Sequence, residues 1–270
     1  MVGQGSFRPD RHGEGLEGAL ARLEAQAVLT WPSESAILTR GGVQESCVVA
    51  EVGCGTGALL RRTRALSPSA DVIGIDSDER LLRSASEAVE DACLLIADAN
   101  SLPLDDASVD FVIMRYLLQH LPDPGRALGE AFRVLRPGGR CVVFEVDGGL
   151  WGIAEPYIPE IQRLQARIWT SQSSRGGNRM IGRQLRQLCL GSGFTDVEID
   201  LYHYSSEEFG LSSFGPLLDP QQHVDLVEDG VITPAELAGA VSAYMRWISD
   251  PVSYVMMVGF ASTAVKPSVG

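Results

Sequence analysis

The chain has little positive charge to offer a polyanion. Acidic side chains outnumber basic ones by 35 to 22 over 270 residues, for a formal charge of −13 and a pI near 4.7. Proteins that bind nucleic acid present a basic stripe to the phosphates. The nearest approach here is Arg61, Arg62 and Arg64, spaced as the solvated face of one helix. A folded RNA or DNA substrate is therefore disfavoured. Cysteine is sparse: Cys47, Cys54, Cys93, Cys141 and Cys189 form an odd set with no C-x-x-C pair, and Cys93 and Cys141 lie inside apolar runs as small core residues. No disulfide framework is expected, which points to a reducing, cytoplasmic setting. The first residues, MVGQGSFRPDRHGEG, contain no apolar h-region, so no signal peptide is expected. No run of about 18 apolar residues occurs, which excludes a membrane-spanning helix. Internal repeats and low-complexity segments are also lacking.

What is present is enough apolar surface for a sizeable core, 45% of residues, in one large domain or a core with a cap. Residues 15–30 carry Leu16, Leu20, Leu23 and Val28 at roughly helical spacing. An alternation then begins. Strands are expected at 47–52, 71–77, 92–98, 109–116 and 139–146. Helices are expected at 57–66, at 78–90 behind a cap at Ser77 or Asp78, and at 124–135 with Pro124 in its first turn. Such a rhythm predicts a parallel sheet with helices on both faces. After Asp147 it changes: 148–180 is mixed, 181–194 reads as a helix, 195–204 alternates as a strand, 205–250 is largely helical and 253–263 is a last strand.

The most informative stretch is AEVGCGTGALL, residues 50–60. Glycine at a strand-to-helix turn permits positive φ and close approach of a ligand to the backbone, and the next helix aims its free N–H groups there. The plain alternative is a turn needed only for tight helix packing. G-C-G-T-G-A satisfies the loose dinucleotide pattern, and Asp76 ends the second strand where a carboxylate accepts bonds from ribose hydroxyls. These two signals suit NAD and S-adenosylmethionine equally. Glu51 and Asp98 break the tie. A carboxylate two residues before Gly53 is unfavourable beside a pyrophosphate but suits a cofactor bearing an ammonium and a sulfonium. Asp98, ending the third strand, can accept a bond from an exocyclic amine. No P-loop lysine follows the glycines, so a triphosphate site is excluded.

Four segments together, EVGCGTG (51–57), VIGIDSD (72–78), IADANSLPLDDASVDFVIMRYLLQHLPDP (96–124) and AFRVLRPGGRCVVFEVD (131–147), make the chain resemble the class I S-adenosylmethionine-dependent methyltransferases, in the small-molecule group that includes ubiquinone/menaquinone-type enzymes. The outer segments are more similar to natural-product methyltransferases of bacteria. The resemblance implies an α/β, Rossmann-like sheet of seven strands, the last antiparallel between the fifth and sixth. It implies that Glu51, Gly53, Gly55 and Gly57 surround the amino-acid part of the cofactor, that Asp76 and Ser77 hold the ribose, and that Asp98 and Ala99 face the adenine. Arg115 takes the place of a contact to the methionyl carboxylate, its alternative being an ion pair with an acid such as Glu51. Tyr116 and Leu118 are expected along the cofactor pocket.

The expected organisation is an N-terminal flap and helix (1–40), a cofactor-binding core (41–204 with 251–270) and a helical insert (205–250) at the substrate edge. That insert, carrying Phe209, Phe214, His223, Tyr244, Met245 and Trp247, is a candidate lid or pocket wall, or a helical pair packed on the core. The reaction implied is in-line methyl transfer to a small acceptor, apolar or aromatic if Trp151, Tyr157 and Trp169 line its pocket. A hydroxyl or ammonium acceptor needs a base, for which His120, Glu145, His12 and His203 are candidates. Asp147 ends the fifth strand beside Glu145. None pairs at metal-ligand spacing, so no metal is expected. Other readings are an NAD-dependent oxidoreductase, a noncatalytic cofactor-binding protein, and non-methyl chemistry such as cyclisation on the same fold. A homodimer is compatible with the pattern, and the oligomeric state stays open.

Overall fold

A computed structural model describes residues 6–7, 15–43, 46–150 and 152–268. Helix α1 (Gly15–Arg40) comes first, followed by the alternation β1 (Val48–Val52), α2 (Ala58–Leu66), β2 (Asp71–Asp76), α3 (Glu79–Ala88), β3 (Cys93–Ile96), β4 (Val109–Arg115), α4 (Pro124–Val134) and β5 (Leu135–Glu145). Local chemistry sets several ends. The Asp78 carboxylate accepts the Arg80 N–H to cap α3, and Asp123 accepts the Arg126 N–H ahead of Pro124 to cap α4. The second half is β6 (Gly152–Glu155), α5 (Pro159–Ser174), α6 (Leu185–Gly191), β7 (Thr195–Ser205) and, at the end, β8 (Tyr254–Val265).

Strands β3, β2, β1, β4 and β5 lie side by side in that order and parallel. β8 is antiparallel to β5 on one side and to β7 on the other, so the last strand sits between the fifth and the long strand before it. The sheet has eight strands among the described residues rather than the seven expected. The addition, β6, pairs with Tyr254–Met257 at the start of β8, in a segment whose mixed composition gave no strand signal.

Side-chain alternation along the strands divides the core in two. Val49, Phe111, Ile113, Val142 and Phe144 pack with Leu29, Ile37 and Leu38 of α1. Ala50, Val52, Val112, Cys141 and Val143 pack with Leu128 of α4, Leu185 of α6 and Phe260. The same parity assigns the polar residues at the strand ends. Glu51 and Arg115 share the α1 face with Val49 and Ile113, whereas Glu145 shares the opposite face with Val143.

Helix α1 runs ten residues past the expected end and carries Pro32 within it. The burial of Leu29, Ile37 and Leu38 outweighs the missing proline N–H. The 205–250 segment contains three one-turn helices, α7 (Ser206–Phe209), α8 (Gly215–Leu218) and α9 (Asp225–Glu228), before α10 (Pro234–Ile248), which starts at a Thr233/Glu236 capping box. Phe214 and Leu226 are buried in the α1-side core, and α8 packs on α1 while α10 packs on α5. No helix among the described residues is long and apolar enough to cross a membrane.

Candidate active site

A crevice of about 1520 Å3 opens along the carboxyl ends of β1, β2, β3 and β4. Its floor is the turn after β1. The Gly53 and Cys54 N–H groups both donate to the Ile75 carbonyl, which pins the turn to β2. Gly53 has φ +75° and lies so close to Leu117 that a Cβ would fall 2.9 Å from Leu117 Cδ1. Gly57, at φ +72°, faces away from the crevice, where a Cβ would sit 3.1 Å from Ala85 of α3. The two glycines thus serve different ends: one lets the crevice floor pass under Leu117, the other lets α2 and α3 approach. Gly57 does not line the crevice; Glu51, Gly53, Gly55, Asp76, Ser77, Asp98, Ala99 and Arg115 do.

The Asp76 carboxylate accepts the Gly55 N–H at 2.8 Å through Oδ2 and the Asp78 N–H at 2.9 Å through Oδ1. It therefore organises the turns after β1 and β2 and keeps spare lone pairs for a ligand. Burial pushes its pKa up against the pull of those N–H groups. Asp98 Oδ1 accepts both the backbone N–H and the side-chain amide of Asn100, at 2.8 and 2.9 Å. Glu51 is 2% exposed, and its Oε2 has no hydrogen-bond partner. Burial raises its pKa well above the carboxylate range, with Arg115 opposing.

Arg115 is fastened to α1 and not to Glu51. Its Nε donates to Glu34 Oε1 at 2.8 Å, and its Nη2 to Thr30 Oγ1 at 2.9 Å. Burial disfavours the Arg115 charge, but the Glu34 carboxylate prevails and raises its pKa. The ion pair anticipated for this arginine thus exists with a different acid, one that only the length of α1 brings to the end of β4. The guanidinium also lies 4.6 Å from the ring centroid of Tyr116. Tyr116 holds φ +51°, which a bulky side chain rarely adopts, while its N–H donates to the Phe144 carbonyl and its hydroxyl meets that of Tyr202 at 2.9 Å. Tyr116 lines the crevice; Leu118 is fully buried behind it.

The far wall follows β4 and β5. His120 lines it, with Nδ1 2.9 Å from Ser6 Oγ and its ring 5.4 Å from that of Phe7. Glu145 is fully buried and does not line the crevice; its carboxylate accepts the Gln119 N–H at 3.1 Å and so supports the turn that bears His120. Burial, opposed by the Gln119 and Val146 N–H groups, brings its pKa to about 8. Asp147 is engaged by Arg183 through two side-chain bonds, which lower its pKa despite burial. His203 is exposed on β7, and His12 and Trp151 lie outside the described residues. Trp169 lines the crevice, whereas Tyr157 is exposed. Arg22, Glu34, Gln172 and Arg179 carry no signal in the sequence, because lone polar residues on helices and in loops form no pattern. No group of three or more His, Cys, Asp or Glu among the described residues is arranged to hold a metal.

Residues 50–143 match the model of the methyltransferase domain family. The chain is 29% identical over 192 residues to the ubiquinone/menaquinone biosynthesis C-methyltransferase of Desulfotalea psychrophila, covering 66% of this chain and 75% of that one. It is 33% identical over 129 residues to demethylmenaquinone methyltransferase of Staphylococcus aureus, covering 46% and 51%. It is also 41% identical over 148 residues to an uncharacterized transposon protein of Streptomyces fradiae, covering 53% and 42%. The chain thus spans about half the length of several curated relatives it matches. Residues 50–143 thus carry a methyltransferase domain. The same fold occurs in Haemonchus contortus phosphoethanolamine N-methyltransferase 2 in complex with S-adenosyl-L-methionine (TM-score 0.55, 20% identity, 88% of this chain and 53% of that one) and in the cyclase SpnF (TM-score 0.55, 23% identity, 100% and 89%). The cofactor is S-adenosylmethionine, which the Haemonchus enzyme binds, and the crevice suits it: the orphaned Glu51 oxygen offers an acceptor to an ammonium, and Gly53 and Gly55 bring the backbone of the turn to the crevice wall.

Proposed function

We propose that the chain is an S-adenosylmethionine-dependent methyltransferase acting on a small, apolar or aromatic acceptor of natural-product type by in-line transfer. The observation that carries this reading is the buried carboxylate of Glu51. A carboxylate so placed is costly unless a cation completes it. The methionyl ammonium is that cation, and a nicotinamide dinucleotide has none to offer there. Asp76 and Ser77 take the ribose, Asp98 and Ala99 the adenine edge, and Gly53 and Gly55 the backbone contacts. Arg115, already held by Glu34 and Thr30, presents positive charge toward the methionyl carboxylate without having to be ordered on binding.

The bound cofactor supplies an activated methyl group on a sulfonium. The chain's own contribution is position and exclusion of water. Tyr116 and Trp169 give the far wall aromatic surface, and Leu217, Leu218 and Leu226 of the 205–250 segment close it with apolar surface, which supports the reading of that segment as a pocket wall. For a hydroxyl or ammonium acceptor, His120 is the base, receiving the proton on an imidazole whose Nδ1 side is fixed by Ser6. Glu145 acts on His120 only through the turn it supports.

Calorimetry with S-adenosylhomocysteine and, separately, NAD tests the cofactor assignment. Binding of the former alone is expected, and binding of NAD alone would overturn the reading. Mass spectrometry of products then distinguishes the chemistry: methylation adds one methylene unit, whereas a cyclisation on the same fold leaves the mass unchanged.

A further inference from the structure

The far wall carries more positive charge than a neutral acceptor needs. Arg22 of α1 and Arg179, in the loop after α5, both line the crevice. Arg179 Nη1 donates to a neutral partner, Gln119 Oε1, at 2.7 Å. Arg22 Nε is buried without a hydrogen-bond partner, and the guanidinium lies 5.7 Å from the Phe7 ring centroid. Among the described residues neither guanidinium forms a salt bridge, in contrast to Arg115 with Glu34 and Arg183 with Asp147. The two repel each other: burial and then the charges of Arg179 and Arg115 bring the Arg22 pKa to about 10. Arg179 is likewise lowered, by burial, with Glu145 opposing. Two half-buried guanidinium groups that line one crevice, repel each other and have no acidic partner favour an anion between them.

The position of Arg179 indicates whose anion this is. Adenine and ribose belong at the ends of β3 and β2, and the methionyl group at β1 and β4. Arg179 lies beyond these, against the β5 end. A Cβ on Gly148 would come 3.2 Å from both Arg179 Cγ and the Trp169 ring. Gln172 reaches the same corner, its Nε2 donating to the Gln119 carbonyl at 3.0 Å. Trp169 and Arg179 thus flank one corner of the crevice, which offers a flat acid both an aromatic ring and a guanidinium fork.

We infer that the acceptor carries an anionic group, a carboxylate or a phosphate monoester, bound between Arg179 and Arg22 on the β5 side of the crevice. This rests on the methyltransferase reading above, which it refines by naming a substrate class: acids in preference to neutral analogues of the same shape.

The test titrates protein saturated with S-adenosylhomocysteine with benzoate, phenyl phosphate and the neutral benzamide. It follows the arginine Nε–Hε NMR signals, assigned with Arg22→Lys and Arg179→Lys, and Arg179→Gln where the lysine variant folds poorly. Either anion should shift both signals and bind at least about tenfold more tightly than benzamide. The tighter of the two identifies the source of the charge, and Arg179→Gln should abolish the preference while leaving S-adenosylhomocysteine affinity within about twofold, whereas Arg179→Lys, which keeps the charge but loses the fork, should only weaken it. Equal binding of all three probes, or no binding, would overturn the inference. So would an anion that binds only when S-adenosylhomocysteine is absent, since it would then occupy the cofactor's own carboxylate position. Failure of S-adenosylhomocysteine itself to bind would instead overturn the methyltransferase reading.

Discussion

Glu51→Gln separates recognition of the cofactor's amino-acid end from everything else the crevice does. The parent carboxylate is 2% exposed with one oxygen unpartnered. Opposite charges about 4 Å apart at an effective dielectric constant of about 20 attract by roughly 4 kcal/mol. Arg115 already draws on the same carboxylate, and glutamine retains a neutral acceptor, so the net loss is about 1.5–3 kcal/mol. That corresponds to roughly a 10- to 160-fold rise in Kd for S-adenosylhomocysteine. The control ligand is 5′-methylthioadenosine, which keeps adenine and ribose but has no ammonium; calorimetry should show its affinity unchanged. The free variant should be at least as resistant to urea as the parent, because a costly buried acid has been removed. The pH dependence has a definite sign. Burial holds the Glu51 pKa above the usual carboxylate range, and an ammonium ligand favours the ionised form. Parent affinity therefore rises as pH rises toward that pKa, with release of a proton on binding, and the variant's does not. Equal losses for both ligands, or none for either, would refute the assignment of Glu51 to the ammonium.

Asp76→Ala should weaken S-adenosylhomocysteine by about 1–3 kcal/mol in calorimetry and also lower the melting temperature, because the carboxylate holds the Gly55 and Asp78 N–H groups; unchanged affinity would remove Asp76 from the ribose site. Gly57→Ala combines a left-handed backbone with a contact at 3.1 Å to Ala85, and should cost about 1–3 kcal/mol of stability in urea unfolding while sparing the crevice. Glu145 titrates at about 8 in the folded chain against an ordinary 4.5. Its contribution is therefore full below the unfolded pKa and is lost as pH rises toward 8. Parent stability should decline across that window, and Glu145→Gln, which mimics the protonated acid, should decline less by urea titration at several pH values.

Much of the fold could be read in advance because it depends on short-range pattern. β1 through β5 announce themselves as apolar runs bounded by turn residues, and caps such as Asp78 and Asp123 are visible in the string. That Glu51, Asp76 and Asp98 line the crevice could be anticipated in the same way, since each sits at or just past a strand end. Besides β6, three features escaped for physical reasons. α1 continues past Pro32 because distant strands bury Leu29, Ile37 and Leu38, and nothing local shows that burial. β5 begins at Leu135, four residues earlier than expected, because Leu135 pairs with Val109 across a register shift in spite of Pro137 and two glycines. The far wall is assembled from α1, the loop after α5 and the turn after β4, so Arg22, Arg179 and Gln119 become neighbours only through tertiary packing. The excision of 205–250, attractive from the sequence as a test of a lid, would expose Phe214 and Leu226 of the core; single substitutions at Leu217 or Leu218 probe the pocket wall more cleanly.

Tyr116 joins the α1 side of the crevice to the antiparallel strands. Its ring lies against the Arg115 guanidinium that α1 holds, and its hydroxyl meets that of Tyr202 on β7. A residue held in an uncommon backbone conformation between them offers a physical route by which occupancy of one side reaches the other. The two ligands then form a thermodynamic cycle: any factor by which the cofactor changes acceptor affinity is the factor by which the acceptor changes cofactor affinity. If the coupling runs through this side chain, Tyr116→Phe, which keeps the ring and removes the bond to Tyr202, brings that factor closer to one.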